Sequence, residues 1–445
     1  MLKKPINMKL MRMELDGVGV PENDTKYMNH LTSNVERQWS YMKRILILGG
    51  GDFQIPILEA AKQEKYYIIL CDRNMNPKGK KYADRFYQID TVDKNGVLRI
   101  ARDEEIDGII SNSEPAMLTV AYVSEKLGLP GNSFDSISTL VSKDKFRTFQ
   151  EKIGIYAPKH FSTDNFDSFI TFAEKMEYPI IIKPVECSGS RGTSVISTYD
   201  VEKIREAFDI NKNYSRNGLC SVEEYVEMPS LYVVDGDIFV HNGIVLWDGM
   251  FTSIRSKESP MIPMVQVFPI MLDEVKLNCV KDTLKKIFVE LDIRHGEFNV
   301  EMYFDKSDRL FVIEINVRQG GNGIPFVIQK HCGIDMYKLL VTTTVGDDSY
   351  FEQVIGEEHF SRNISRYPVF SNDDGIYKGL YIDKQIEKYV DSVYEETELG
   401  SPIKRRKNAE SVICFVDLIF DTQQEQKNIC DNIEDFIYPK VGKND

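Results

Sequence analysis

The sequence predicts two fold classes in succession, α/β and then α+β: a small parallel α/β domain, a larger body with antiparallel strands, and a C-terminal α+β cap. Three observations predict it. Ile45-Leu46-Ile47-Leu48 ends in Gly49-Gly50-Gly51, a helix-spaced stretch through Ile57, Leu58 and Ala61 follows, and Tyr67-Ile68-Ile69-Leu70 makes a second apolar run, which reads as β-α-β. Beyond residue 141 helical stretches interleave with strand-like runs, the mixture of an α+β body. The 445 residues, 42% of them hydrophobic, supply about three domains at roughly 150 residues each.

In chain order, residues 1–42 carry six methionines, Pro5 and Pro21 and no sustained periodicity. This leader is expected to be disordered or extraneous, with Met42 rather than Met1 as the functional start. Residues 43–140 form the Rossmann-like domain, in which Asp107-Gly108-Ile109-Ile110-Ser111 adds a short buried strand and Ala116 to Leu127 a helix. In residues 141–345 strands are expected at Pro179 to Lys183, Gly236 to Val245, Glu297 to Phe304 and Leu310 to Ile315. The cap, residues 346–445, holds strand-like pieces at Ile376 to Ile382 and Ser411 to Phe420, a charged Lys404-Arg405-Arg406-Lys407 loop and a closing helix near Gln424 to Ile437.

Composition excludes several function classes. A net charge of −14 repels a phosphate backbone or an anionic membrane, so no nucleic-acid or membrane partner is expected. No stretch approaches the roughly 18 apolar residues of a spanning helix, and no signal-peptide core is evident. Seven scattered cysteines, never paired as C-x-x-C, suggest neither a disulfide framework nor a zinc knuckle and fit the cytoplasm.

Gly49-Gly50-Gly51 with Asp72 beyond it partly matches a dinucleotide fingerprint, but Gln54 replaces the third glycine and favours a structural βα turn. Sharper is Lys183-Pro184, where a strand delivers a lysine and the loop Ser188-Gly189-Ser190-Arg191-Gly192 leads into another strand. Glycines let backbone N–H groups approach phosphate oxygens, and a nearby lysine neutralises them. Asp144-Lys145-Phe146-Arg147 heads a helix, and Glu223-Glu224-Tyr225-Val226 closes a strand whose backbone could read an adenine edge.

The most informative pattern is Glu301, then Glu314-Ile315-Asn316-Val317-Arg318-Gln319-Gly320-Gly321. Residues two apart in a strand share a face, so Glu314, Asn316 and Arg318 point one way and Ile313 and Ile315 the other. Glu301, Glu314 and Asn316 offer hard oxygens suited to Mg²⁺, which keeps waters and leans on substrate phosphates.

In this order the pieces resemble the ATP-grasp superfamily, and within it the carboxylate-amine ligases, over roughly residues 43–345. The resemblance implies an ATP-grasp fold in which Lys145 and Lys183 contact the ATP phosphates under a loop containing Ser190, Arg191 and Gly192. Glu223, with the backbone of Glu224 and Val226, would meet the adenine. Glu301, Glu314 and Asn316 would hold two Mg²⁺ ions, with Mn²⁺ as the alternative, and Arg318 would stabilise the acyl phosphate and the tetrahedral intermediate. It implies an ADP-forming ligase with small-molecule carboxylate and amine substrates, an amino acid or small peptide favoured, in a chain compatible with a homodimer.

The sequence departs from the family at Met228-Pro229-Ser230-Leu231, where a ribose-binding acid is commonly found, and at Gln319 to Pro325, which disfavours biotin carboxylation. Carbamoyl-phosphate-synthase-like or carboxyphosphate chemistry is the runner-up. A nicotinamide oxidoreductase and a non-catalytic ATP-binding protein are more distant rivals. Lys143 is expected to face solvent, Arg255 and Lys257 to lie in a solvated Ser253 to Phe268 connection, and His295 and His331 to have core or surface roles.

Overall fold

The computed structural model describes residues 42–187, 191–257, 260, 262–406 and 411–442. The expected leader up to residue 41, and Ser190 in the glycine loop, lie outside the described residues.

Apolar runs at the front make strands buried on both faces. β1 (Arg44–Leu48), β2 (Tyr67–Asp72), β3 (Arg85–Gln88) and β4 (Gly108–Ile110) form a parallel sheet in the order β3-β2-β1-β4. Alternation along β1 feeds two cores: Leu46 and Leu48 pack with Val97, Ala101 and Val123, while Ile45 and Ile47 pack with Ile57, Leu58, Ile328 and Leu339. The second core joins this domain to the body that follows. Gly49 has φ +94°, Gly50 N donates to Asp72 Oδ2 at 2.7 Å, and Asn74 N donates to Asp72 Oδ1 at 2.7 Å. Asp72 therefore ties the βα turn together instead of being free for a ribose.

Gly108 opens β4 where a Cβ would run into the carbonyl oxygen of Thr344, at the end of the helix Met336–Thr344. Gly108→Ala is expected to lower the unfolding free energy by about 1–3 kcal/mol through overpacking. An unchanged urea midpoint would show that this domain does not press on the body as described.

Four short strands come next. β5 (His160–Thr163), β6 (Ile180–Pro184), β7 (Ser194–Ile196) and β8 (Cys220–Glu224) form an antiparallel sheet in the order β5-β8-β6-β7. β9 (Tyr232–His241), β10 (Ile244–Leu246), β11 (Met250–Arg255), β12 (Pro263–Phe268), β13 (His295–Phe304) and β14 (Leu310–Asn316) build the larger sheet. The expected Gly236 to Val245 strand is a hairpin: Asn242 and Gly243 take φ +51° and +78° between β9 and β10, the two-residue turn that an Asn-Gly pair favours.

The Ser253 to Phe268 connection, expected as a solvated loop, contains the β11–β12 pairing, and Arg255 is 6% exposed. Beyond it come β15 (Asn363–Val369), β16 (Gly375–Ile382), β17 (Val390–Glu395), β18 (Pro402–Ile403), β19 (Cys414–Phe420) and β20 (Ile437–Gly442). The larger sheet runs β14-β13-β9-β11-β12-β15-β19-β17, with β10 on β9, so the last hundred residues continue it as well as capping it. β18, β16 and β20 make a separate three-stranded sheet. The expected closing helix is two short ones, Gln423–Cys430 and Ile433–Phe436, before Ile437 starts β20.

This continuation positions the turn after β14. Arg366 of β15 donates to Asp417 Oδ1 at 2.7 Å and Oδ2 at 2.9 Å, and its Nη1 to Asn322 O at 2.8 Å and Gly323 O at 3.0 Å. A buried bidentate pair from the C-terminal region thus clamps the glycine turn that Arg318 precedes. Among the described residues no helix is long and apolar enough to cross a membrane.

Candidate functional site

The antiparallel register of β9, β13 and β14 creates a polar face. Asp235 lies opposite Glu301 and Glu301 opposite Glu314; one pair further along, Asp237 lies opposite Asn299 and Asn299 opposite Asn316. Residues facing each other across neighbouring strands share a face, so acids and amides alternate in two rows. Arg255 Nη2 donates to Glu301 Oε1 at 2.8 Å and lies 3.8 Å from Asp235 Oδ2. Asn316 Nδ2 donates to Glu314 Oε1 at 3.0 Å, and Asn299 Nδ2 to Asp237 Oδ1 at 2.9 Å.

The charges on this face are frustrated in a graded way. Burial and the nearby Glu301 push Asp235 up to about 8. Burial also raises Glu301, with Arg255 opposing and Glu314 reinforcing the rise. Glu314 goes the other way: burial would raise it, but Lys143, the Asn316 bond, Arg318 and Lys183 hold it below the ordinary carboxylate range. Cations thus meet Glu314, while Asp235 and Glu301 share only Arg255.

The cations come from the smaller sheet and the helix before it. Lys183 on β6 pairs with Ser221 on β8, which puts Lys183 and Glu223 on one face as diagonal neighbours. Lys183 Nζ donates to Glu223 Oε2 at 2.7 Å, and Arg147 Nε reaches the same oxygen at 3.2 Å. Arg147, fully buried, also donates to Gln150 Oε1 at 2.7 Å, Val312 O at 3.0 Å and Ile313 O at 2.9 Å, so it bridges the smaller sheet to β14. Burial lowers the Lys183 ammonium to about 8, and although burial would raise Glu223, Arg147 and Lys183 hold it at about 2. Glu223 Oε1 is buried without a hydrogen-bond partner.

Lys145 and Lys143 exchange the places the sequence suggested for them. Lys145 is exposed and donates to Ser138 Oγ at 2.7 Å, away from the acids. Lys143 donates to Cys187 O at 2.8 Å and lies 3.9 Å from Glu314 Oε2, with its side chain 19% exposed. The helix Lys143–Lys152 explains the exchange. Lys143 and Arg147 are four residues apart and share the inward face, whereas Lys145 lies about 200° round from Lys143.

The remaining expected residues divide. Arg318, half-buried, donates from Nη1 to Gln319 O at 2.6 Å beside the Asn316 row. Gly192 takes φ +78°, and a Cβ there would press on Tyr214 and Asn211; Arg191 beside it is exposed. Glu224 N donates to Lys159 O at 2.8 Å, and Val226 O accepts from Tyr303 Oη at 2.6 Å. Tyr303 thereby holds the segment after β8 against the larger sheet, where Val226, Tyr303 and Phe311 form an apolar patch with Tyr156, Met228 and Ile313.

The donor set suits a hard divalent ion. Among the described residues no three His, Cys, Asp or Glu side chains form a self-sufficient cage, but Glu301 and Glu314 face each other across adjacent strands with the Asn316 amide next to them. Two carboxylates and an amide, with phosphates and waters completing the shell, match what Mg²⁺ takes from a protein. Burial raises the Glu301 carboxyl and the facing Glu314 adds to the rise, and a bound cation would oppose both.

Two family models match the chain: ATP-grasp N-terminal domain over residues 58–131, and carbamoyl-phosphate synthase L chain, ATP binding domain, over residues 142–347. The chain belongs to the ATP-grasp superfamily. The carbamoyl phosphate synthase large chain of Thermotoga petrophila is 24% identical over 345 residues, 73% of this chain and 30% of the relative. The L-arginine-specific L-amino acid ligase of Bacillus subtilis is 24% identical over 283 residues, 61% of this chain and 67% of the relative. Among solved structures, an L-amino acid ligase from Bacillus licheniformis shares the fold with a TM-score of 0.72 at 19% identity, covering 90% of this chain and 99% of that one. The parallel α/β domain ahead of an ATP-grasp body is therefore the architecture.

Arg147, Asp235, Asp237 and Asn299 of this ATP-grasp face were given no role from the sequence, and Lys143 and Arg255 were placed in solvent. Helical spacing signalled Lys143 and Arg147, which stand at i and i+4. Asp235-Gly236-Asp237 inside an apolar run was a second signal, two acids on one strand face. Arg255 carried none, because its partner Glu301 is fixed only by strand pairing.

Proposed function

We propose that the protein is an ATP-dependent ligase that activates a carboxylate as an acyl phosphate and transfers the acyl group to an amine, releasing ADP and phosphate. One observation carries this reading: Lys143 lies 3.9 Å from Glu314 of β14, and Arg147, one turn along the same helix, shares the Glu223 carboxylate with Lys183 while donating to Val312 O and Ile313 O of β14, so cations distant in sequence are drawn to the strand that carries the acid. A triphosphate is the ligand that needs both cations and acid-bound metal within a few ångströms.

In this reading Lys143 and Lys183 neutralise the phosphates, Lys143 taking the role first given to Lys145. Ser190, which lies outside the described residues, Arg191 and Gly192 are proposed as further ATP contacts. The unpartnered Glu223 Oε1, with the backbone of Glu224 and Val226, supports adenine binding against the Val226, Tyr303 and Phe311 patch. Glu301, Glu314 and Asn316 would hold Mg²⁺, which when bound neutralises charge on the transferring phosphoryl group. Arg318 holds its guanidinium where the acyl oxygen gains charge, first in the acyl phosphate and then in the tetrahedral adduct with the amine. The ligase-like fold supports an amino acid or small peptide as substrate.

Carboxyphosphate or carbamoyl phosphate chemistry is the second reading, favoured by the similarity to carbamoyl phosphate synthase large chains. The deciding experiment is ADP formation from Mg-ATP against a panel of amino acids, dipeptides, small acids and bicarbonate. ADP release that requires both an acid and an amine supports the first reading, and bicarbonate-dependent turnover without an amine supports the second. Glu314→Gln is expected to raise the Mg²⁺ concentration needed for half-maximal turnover by about tenfold or more, from the loss of a charged ligand. An unchanged Mg²⁺ dependence would remove Glu314 from the metal site.

A further inference from the structure

Beyond Arg318 the polar face continues into a cavity of about 70 Å³ between the parallel domain and the larger sheet. Its floor carries Glu297, Arg318 and Gln319, and Met117, Val120 and Leu340 are among its walls. Glu297 is 3% exposed and Gln319 1% exposed; no side-chain polar atom of either makes a hydrogen bond of standard length, and Glu297 has Gln319 and Asp237 as its polar neighbours. Burying such groups without well-formed hydrogen bonds is costly, so the pair is poorly explained as packing.

The neighbours narrow what could satisfy them. Asp237 already accepts from Gly320 N at 2.9 and 2.8 Å and from Asn299 Nδ2 at 2.9 Å and adjoins Glu297, so an incoming cation would meet Glu297 with a second acid behind it. Burial and the adjacent Asp237 push the Glu297 carboxyl well above its usual range, the penalty that a cationic partner removes. Two carboxylate oxygens and the Gln319 amide oxygen match the three donors of a primary ammonium, and the apolar walls suit its carbon chain.

We propose that this cavity binds the amine substrate as an aliphatic primary ammonium, with Glu297 and Gln319 as its acceptors and Arg318 at its inner end. The proposal rests on the ligase reading, because it places the nucleophile's nitrogen beside the residue assigned to the acyl phosphate.

The test is ligand-induced stabilisation of the full chain by n-propylammonium chloride, with propan-1-ol and sodium propionate at matched concentrations. The wild type is expected to gain thermal stability from propylammonium and not from propanol or propionate. Glu297→Gln, close to isosteric, is expected to need at least tenfold more propylammonium for the same shift. Gln319→Leu supplies an independent variant should the first fold poorly, and far-UV circular dichroism checks both. Equal responses in wild type and variants, or propanol matching propylammonium, would overturn the proposal. Failure of the ligase reading looks different: no ADP release in wild type with any acid and amine, while ammonium binding persists.

Discussion

Arg318→Ala is expected to cut amine-stimulated ADP release by about 10²–10³-fold, the usual cost of deleting one preorganised donor to a developing oxyanion. The expectation follows from how firmly the guanidinium is held. Its Nη1 donates to Gln319 O at 2.6 Å, Asn299 N anchors the Arg318 carbonyl at 3.0 Å, and Arg366 clamps the following turn through Asn322 and Gly323. Such a donor reorganises little as charge builds, which is the origin of its effect. Arg318→Lys should recover little, because a point charge on a flexible stem cannot reproduce a planar fork. The loss should fall mainly on kcat, as for an interaction stronger in the transition state than in the ground state. Steady-state ADP release in wild type and both variants measures it, and equal turnover would take Arg318 out of the chemistry.

Glu223→Gln should lower the unfolding free energy by about 3–5 kcal/mol, since breaking a buried ion pair from one side leaves the other charge uncompensated. Here two cations are stranded: Lys183 at 2.7 Å and Arg147 at 3.2 Å share the Glu223 carboxylate, and all three side chains are largely or wholly buried. The variant should also show a distinct pH response. Glu223 titrates at about 2 in the fold against an ordinary value of 4.5, so its contribution is complete above about pH 4.5 and is lost as pH falls toward 2. The stability gap between wild type and Glu223→Gln should therefore narrow with acidification through that window. Urea unfolding at several pH values reads both effects, and a gap below 1 kcal/mol at neutral pH, or one that widens in acid, would contradict the triad.

Much of the fold was legible because it is written in local periodicity. Ile45 to Leu48 against a glycine turn specifies a strand whose faces follow from a period of two; the alternation through Glu314 and Asn316 also marks a strand, but β14 ends before Arg318 and a register shift at Ile313 puts Ile313 and Ile315 in different clusters. Alternation puts Glu314 and Asn316 on one face, the family resemblance adds Glu301 to them, and strand register sets Glu301 opposite Glu314. Matching the motif by position points to Lys145, whereas the helix's 100° steps put Lys143, not Lys145, on the face of Arg147. The C-terminal strands read locally as a cap because the pairing of β15 with β12 joins residues about a hundred positions apart, and no local pattern encodes such a pairing.

By itself the sequence determined the order of the two fold classes, the strands that carry the acids and the strand that carries Lys183, since each depends on residues close together along the chain. Tertiary structure alone decided which lysine reaches Glu314, that Arg255 pairs with Glu301, that Arg147 and Glu223 lock Lys183, and that Glu297 is left facing a cavity. Those outcomes depend on pairing between distant strands and on the burial it imposes, and burial sets both the reach and the charge state of every group at the site.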